Sequence, residues 1–185
     1  FCIMIHITRI FILSLIILSC SKKVKYVDRE ININVVPLPK KVEVVESNKY
    51  ILLPKKIKVF IDSDETKNLF DLISKDFKKL SFSNSFELIT NKNRSNLSLE
   101  IDKELDEEEY EIAVNNKIVI KGGSLGAIKM AKSTLLQLSE NDKGRITLPI
   151  INIKDSPDAS YRGLLIDLAR KWHKVETIYK LIDLA

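Results

Sequence analysis

The chain has 185 residues, with 30 Lys and Arg against 25 Asp and Glu and a net charge of +5. Past residue 20 it holds no Cys and a single His, His173, which excludes a disulfide framework and a two-histidine zinc site in the body of the chain. The basic excess is no nucleic-acid signature, because Lys is spread among Ile, Asn and Ser and no aromatics are interleaved in the manner that stacks bases.

Met4 is the first plausible initiator. His6 and Arg9 then precede the apolar run Ile10 to Leu18 and Ser19-Cys20. A basic start, a short apolar stretch and a small residue at the cut read as a secretory signal. The run is too short for a membrane span, which needs roughly 20 apolar residues. Ile17-Leu18-Ser19-Cys20 also resembles the bacterial lipobox, in which the cysteine is lipidated and becomes the mature N-terminus. Two readings stand: a lipoprotein anchored to a membrane through Cys20, periplasmic or at the cell surface, or an ordinary signal whose cysteine is incidental. Residues 21–30 read as a Lys-rich tether. The basic segment Lys22 to Lys58 either lies against anionic headgroups, at ~1 kcal/mol per well-placed cation, or is a solvated surface.

Residues 31–36 are expected to be extended, ending at Pro37-Leu38-Pro39, where two prolines rule out helix. Short strands are predicted at 42–45 and 50–53. Ile57 to Ile61 alternates with period two, as a half-buried strand does. Leu69, Phe70, Ile73, Phe77 and Leu80 recur at helical spacing, predicting a helix from about 65 to 80. Strands follow at 86–89 and 97–101, then a hairpin of 109–114 and 117–121 about Asn115-Asn116. Gly122-Gly123 stops the second arm, with Ser124 as N-cap of a helix whose apolar stripe is Leu125, Ile128, Ala131, Leu135 and Leu138. A turn at 141–144 and a single extended run at 146–153 lead to Asp155-Ser156-Pro157-Asp158, a domain boundary.

This order predicts an α+β domain over 31–155, an antiparallel sheet with two helices on one face. A new unit then begins near 160. The apolar run Tyr161 to Arg170, followed by an amphipathic helix, is a strand-then-helix unit, the repeat of a (β/α)₈ barrel. One such unit cannot bury itself, so residues 160–185 are expected to be the truncated start of a catalytic barrel.

Few residues offer chemistry. Gly122-Gly123-Ser124-Leu125-Gly126 is either an anion-cradling turn at a helix start or a structural turn, and it lacks the Walker and dinucleotide patterns. The acidic run Asp106 to Glu109 reads as a solvated turn without EF-hand periodicity. His173 either touches a ligand or serves packing. Asp167 and Arg170 stand three apart and can pair. Arg162 interrupts an apolar strand, which is costly unless the charge is paired or faces a polar cavity. Its planar fork suits carboxylates and vicinal hydroxyls, so both a structural and a functional role are open to it.

The run Tyr161-Arg162-Gly163-Leu164-Leu165-Ile166-Asp167-Leu168-Ala169-Arg170, continued by Val175-Glu176-Thr177-Ile178, resembles the opening of the catalytic barrel of glycoside hydrolase family 20, the β-N-acetylhexosaminidases. Pro37-Leu38-Pro39, Glu109-Tyr110-Glu111-Ile112, Gly123-Ser124-Leu125-Gly126-Ala127, Leu135-Leu136-Gln137-Leu138 and Ile153-Lys154-Asp155 are similar to that family's N-terminal accessory domain. The resemblance covers nearly everything after the tether. It implies an exo-acting hydrolase of terminal β-linked N-acetylglucosamine or N-acetylgalactosamine, with N-acetylhexosamine-containing glycans as partners and no metal or cofactor. It implies catalysis assisted by the substrate's own acetamido group, with an Asp-Glu pair lying beyond residue 185, so that no catalytic residue falls within this chain and the chain alone is inactive. Arg162 matches the family's arginine that holds hydroxyls of the terminal sugar. The family's His after the second arginine is replaced by Lys171, with His173 two places on. The competing reading is a lipid-anchored surface module that binds glycans or a protein without catalysis. Barrel sites gather at the C-terminal ends of strands, whereas Arg162 falls at the start of the predicted one.

Overall fold

The computed structural model describes residues 24–62 and 67–184; the signal-like segment with Cys20 lies outside them. In chain order the strands are β1 Lys25–Asp28, β2 Lys41–Val44, β3 Lys49–Leu52, β4 Lys56–Ile61, β5 Ser85–Ile89, β6 Leu97–Ile101, β7 Tyr110–Val114, β8 Ile118–Gly122, β9 Glu140–Asp142, β10 Arg145–Pro149 and β11 Ile151–Asp155. The helices are α1 Lys67–Lys79, α2 Leu125–Leu138 and α3 Val175–Leu184. The fold is α+β, and none of the described helices is long and apolar enough to cross a membrane.

Period-two burial builds the larger sheet, seven strands in the order β2-β11-β7-β8-β6-β4-β5. Its register aligns Val42, Ile153, Ile112, Ile120, Leu99 and Ile61 in one row across six strands. A second row runs through Ile118, Leu97 and Val59. These rows face α1 and α2, which touch each other and the same sheet. Leu69, Ile73 and Phe77 of α1 and Ala127, Ile128, Ala131, Leu135 and Leu138 of α2 are buried there, each large side chain stabilising the fold by about 1.5–3 kcal/mol. Phe77 stacks on Phe86 at 5.5 Å between ring centroids. Leu80, counted in the sequence stripe, lies past the end of α1 and is exposed. Lys132 of α2 meets Asp76 of α1 at 2.5 Å, with both side chains mostly buried.

The opposite face is polar and half-exposed. Glu111 sits beside both Lys154 and Lys121 in the ladder, and Lys121 sits beside Glu100. Ion pairs follow that alternation: Lys154 to Glu109 at 3.0 Å and to Glu111 at 3.3 Å, Lys121 to Asp102 at 2.8 Å, and Lys92 to Glu100 at 2.8 Å. The acidic run and the scattered lysines thus meet across strands, where opposite charges attract.

Three expectations are corrected. The sheet is mixed rather than antiparallel, because β4 runs parallel to β5 and β6, and β6 parallel to β8. The passages through α1 and through a 3₁₀ turn at Lys92–Arg94 carry the chain back across the sheet, as parallel pairing requires. The extended run 146–153 is two strands in two sheets. β10 lies in a second, antiparallel sheet ordered β1-β3-β10-β9, while β11 joins the large one; the chain changes sheet at Ile150, which is buried. The segment read as a tether contains β1, paired along its length with β3. The expected turn at 141–144 is present, as a tight hairpin joining β9 and β10 with Lys143 and Gly144 both at positive φ, as a primed two-residue turn demands.

The run 161–170 forms no strand. A buried strand is stable only between partners, and no described strand lies beside it. Leu164, Leu165 and Leu168 are exposed. The described residues here form an irregular run followed by the helix α3, without a sheet. Residues 31–36 are likewise irregular. Gln137 holds them to the end of α2, its Oε1 accepting from Val36 N at 2.9 Å and its Nε2 donating to Val36 O at 3.2 Å.

The glycine pair acts through close approach. A Cβ on Gly123 would stand 1.9 Å from Asp106 O and 2.8 Å from Leu105 O, so the acidic loop can lie against the end of β8 only without that carbon. Gly123→Ala is expected to cost roughly 1–3 kcal/mol in denaturant unfolding, as overpacking does. Gly126→Ala, whose added carbon meets nothing closer than 3.4 Å, should be neutral or gain up to ~1 kcal/mol. Equal losses in both variants would contradict this account.

Candidate functional site

The site begins where the chain leaves the sheets. Tyr110 of β7 is buried, and its hydroxyl contacts Thr134 Oγ1 of α2 at 2.7 Å and Asp155 Oδ2 at 2.8 Å. A carboxylate only accepts, so Tyr110 donates to Asp155 and Thr134 donates to Tyr110. Burial, first, and then the Asp155 carboxylate push the Tyr110 hydroxyl well above its ordinary range, so it keeps its proton. Asp155 Oδ1 also accepts from Lys40 N at 3.1 Å. Lys40 Nζ donates to Ser156 Oγ at 3.0 Å and meets Asp158 at 3.1 Å. The boundary 155–158 is therefore tied down at each residue but its proline side chain, and Lys40 Nζ reaches Pro157 O at 3.3 Å.

Four residues past that anchor, Arg162 turns back onto the loop between β6 and β7. Its Nη1 donates to Glu108 Oε2 at 3.3 Å, and its Nη2 makes a shorter contact with Glu108 Oε1. The Ala159 carbonyl also accepts from Nη1. The carboxylate holds the guanidinium above its usual range, and the guanidinium holds the Glu108 carboxyl below its own. Both side chains are nearly half-exposed, at 46% and 43%, so the pair orients Arg162 more than it stabilises the fold. The loop that presents Glu108 is itself fixed. Glu109 N donates to Asp106 O at 2.9 Å and Gly123 N donates to Glu109 O at 3.0 Å, which engages the glycine turn in structure and leaves Gly123 N unavailable to an anion. Ser124 caps α2 as expected, its Oγ accepting from Ala127 N at 3.2 Å.

The remaining sequence candidates are not brought to Arg162. Asp167 Oδ1 accepts from Ala169 N at 2.9 Å and Arg170 N at 3.1 Å, and its Oδ2 accepts from Arg170 Nε at 2.5 Å. That is a closed local turn. His173 is half-buried in the loop before α3, with no hydrogen bond or ion pair to Arg162 among the described residues. No cluster of His, Cys, Asp and Glu able to hold a metal ion occurs among them. Glu108 is the residue that the sequence did not disclose. It lies 54 positions from Arg162, and only the approach of the loop to the domain exit joins the two.

Comparison with known proteins identifies the domain that precedes Arg162. The family model described as glycosyl hydrolase family 20, domain 2 matches residues 32–156. A β-hexosaminidase of Porphyromonas gingivalis is 28% identical over 183 residues, covering 91% of this chain and 23% of its own length. One from Vibrio furnissii is 39% identical over 80 residues, covering 43% of this chain and 13% of its own. The chain thus spans less than a quarter of either relative. Among solved structures, the exo-β-N-acetylglucosaminidase of Vibrio harveyi in complex with N-acetylglucosamine superposes with a TM-score of 0.72 at 24% identity, over 90% of this chain and 26% of that one. At that identity the likeness is one of fold.

Titration of Glu108 checks the pairing. Its folded-state pKa lies below the ordinary 4.5, so the contribution of the pair is present above the unfolded-state value and is lost as pH falls through the folded one. Side-chain carbon NMR should place the Glu108 midpoint below 4.5, and Arg162→Ala should return it to the ordinary range. An unmoved midpoint in Arg162→Ala would show that the two groups do not pair in solution.

Proposed function

Because the chain belongs to glycosyl hydrolase family 20, residues 32–156 matching that family's domain 2, we propose that it is the accessory region and barrel opening of an exo-acting β-N-acetylhexosaminidase. The observation that carries the reading is the unit following the family domain. Tyr161, Leu165 and Trp172 are 87%, 94% and 83% exposed. On α3, Val175, Tyr179 and Ile182 share a face by their spacing and are likewise exposed. A strand-like apolar run and a one-sided helix with no cover are what a single β/α unit shows when the rest of a barrel is needed to bury it.

In the complete enzyme the substrate would be a glycan ending in β-linked N-acetylglucosamine or N-acetylgalactosamine. The acetamido oxygen of that sugar attacks its anomeric carbon while an enzymic acid protonates the departing oxygen, a departure from the scheme with an enzymic nucleophile. Water then opens the cyclic intermediate with the configuration retained. The Asp-Glu pair serving these steps belongs to barrel strands beyond residue 185. Arg162 contributes binding. Its guanidinium carries five donors, and the fork now occupied by Glu108 is the surface that would meet sugar hydroxyls.

The test extends the reading frame and assays a chromogenic N-acetyl-β-glucosaminide. The extended protein should hydrolyse it, and Arg162→Ala should lower kcat/KM by about 10- to 100-fold, the loss of a charge-assisted hydrogen bond or two. The 185-residue chain should show no turnover; hydrolysis by that chain alone would refute the placement of the catalytic pair.

Cys20 is proposed as the lipid attachment point of an exported bacterial lipoprotein, on the strength of Ile17-Leu18-Ser19-Cys20 and the apolar run before it. Mass spectrometry of protein made in an exporting bacterial host should find a diacylglyceryl group on a mature N-terminal Cys20. A mature terminus elsewhere, without lipid, would leave the ordinary signal reading.

A further inference from the structure

At the end of the large sheet where β4, β6 and β8 begin, the chain forms a half-open cavity of ≈ 750 Å³. Lys55, Lys56, Lys58, Arg94, Lys117 and Arg145 line it, joined by Lys25 of β1, and no acidic side chain does. Several lysines elsewhere in this fold are paired: Lys92, Lys121, Lys132 and Lys154 each meet a carboxylate at 2.5–3.0 Å. Of the cavity cations, only Lys56 has such a partner among the described residues, Glu87 at 3.1 Å. Gathering like charges in one concavity costs self-repulsion and focuses a positive field into it.

The wall is preorganised. Arg145 Nε donates to the Leu53 carbonyl at 3.0 Å, which fixes the plane of its guanidinium. Asn96 Oδ1 accepts from Lys58 N at 2.9 Å, joining the starts of β4 and β6. The lining also includes the apolar Val24, Leu52, Leu53 and Pro54 and the amides of Asn93, Asn96 and Asn116. A lining that mixes cations with apolar side chains, in a volume well above that of a bare oxyanion, suits a phosphate ester with an organic body attached. β1 places this cavity next to the N-terminal segment, with Lys25 five residues after Cys20 and so within roughly 18 Å of extended chain.

We propose that this cavity seats the phosphate of an anionic phospholipid headgroup and sets the domain's orientation on the membrane. From the reading of Cys20 as an anchor the inference takes only the nearness of a membrane, and its test works without the anchor.

The test uses the full 185-residue chain carrying Cys20→Ser, sedimented with phosphatidylcholine vesicles with and without phosphatidylglycerol. Binding should require phosphatidylglycerol and weaken as salt is raised. Lys55→Gln with Arg94→Gln should weaken it about tenfold or more. Lys75→Gln with Lys129→Gln, the same charge loss on α1 and α2, should leave it within about twofold. Unchanged melting temperatures establish that both double variants fold, and Lys117→Gln replaces the first if it does not. Equal weakening by the two double variants, or binding indifferent to phosphatidylglycerol, overturns the proposal. A melting-temperature rise with glycerol 1-phosphate but no vesicle binding also overturns it, assigning the cavity to a soluble phosphate ester. Absence of lipid on Cys20 in the exported protein would remove the anchor while leaving the vesicle result untouched.

Discussion

The hydroxyl of Tyr110 is the constraint from which the rest of this structure takes its geometry. One buried oxygen joins the sheet to the helix layer through Thr134 and to the exit of the domain through Asp155. The direction of both hydrogen bonds follows from the inability of a carboxylate to donate. Asp155 in turn receives the backbone of Lys40, so the segment entering β2 and the segment leaving β11 are held at one point. Arg162 follows seven residues after Asp155, and its pairing with Glu108 is possible because the exit is fixed beside the loop that leads into β7.

The charged face and the cationic cavity are two outcomes of one composition. On the outer face of the large sheet the strand register sets Lys against Glu, and the charges cancel locally. At the open end of β4, β6 and β8 the same basic excess gathers with no acidic side chain in the lining, and among the described cations there only Lys56 reaches a carboxylate, that of Glu87. A net charge of +5 says nothing of this division. It is decided by which loops the parallel crossovers bring to a common end of the sheet.

The elements legible in the sequence were those whose own residues determine them. α2 is announced by its stripe and by Ser124, the β7–β8 hairpin by alternation about Asn115-Asn116, and α1 by Leu69, Ile73 and Phe77. Strand direction was not legible, because an inward row of Val, Ile and Leu reads the same beside a parallel or an antiparallel neighbour. The change of sheet at Ile150 was hidden for a related reason: both faces of residues 146–151 are covered, which erases the alternation that would mark a break. β1 was concealed by its polarity, since three of its four residues are exposed. For the site, Arg162 stood out as a charge within an apolar run. Glu108 did not, because an acidic turn looks solvated until the fold supplies its partner.

The passage from β10 to β11 also bears on how the chain is made. β10 lies between β3 and β9 in one sheet, and β11 lies between β2 and β7 in the other. Both are interior strands, and among the described strands they are the last the ribosome delivers. Until residue 155 has emerged, β2 has no neighbour and β3 has only β1. β2 must therefore wait unpaired, and the β1–β3 pair must wait with one open edge, for residues 145–155, synthesised about a hundred positions later. Such long-range closure slows folding. It also makes the domain's appearance during translation a single late event, completed only once β11 has emerged.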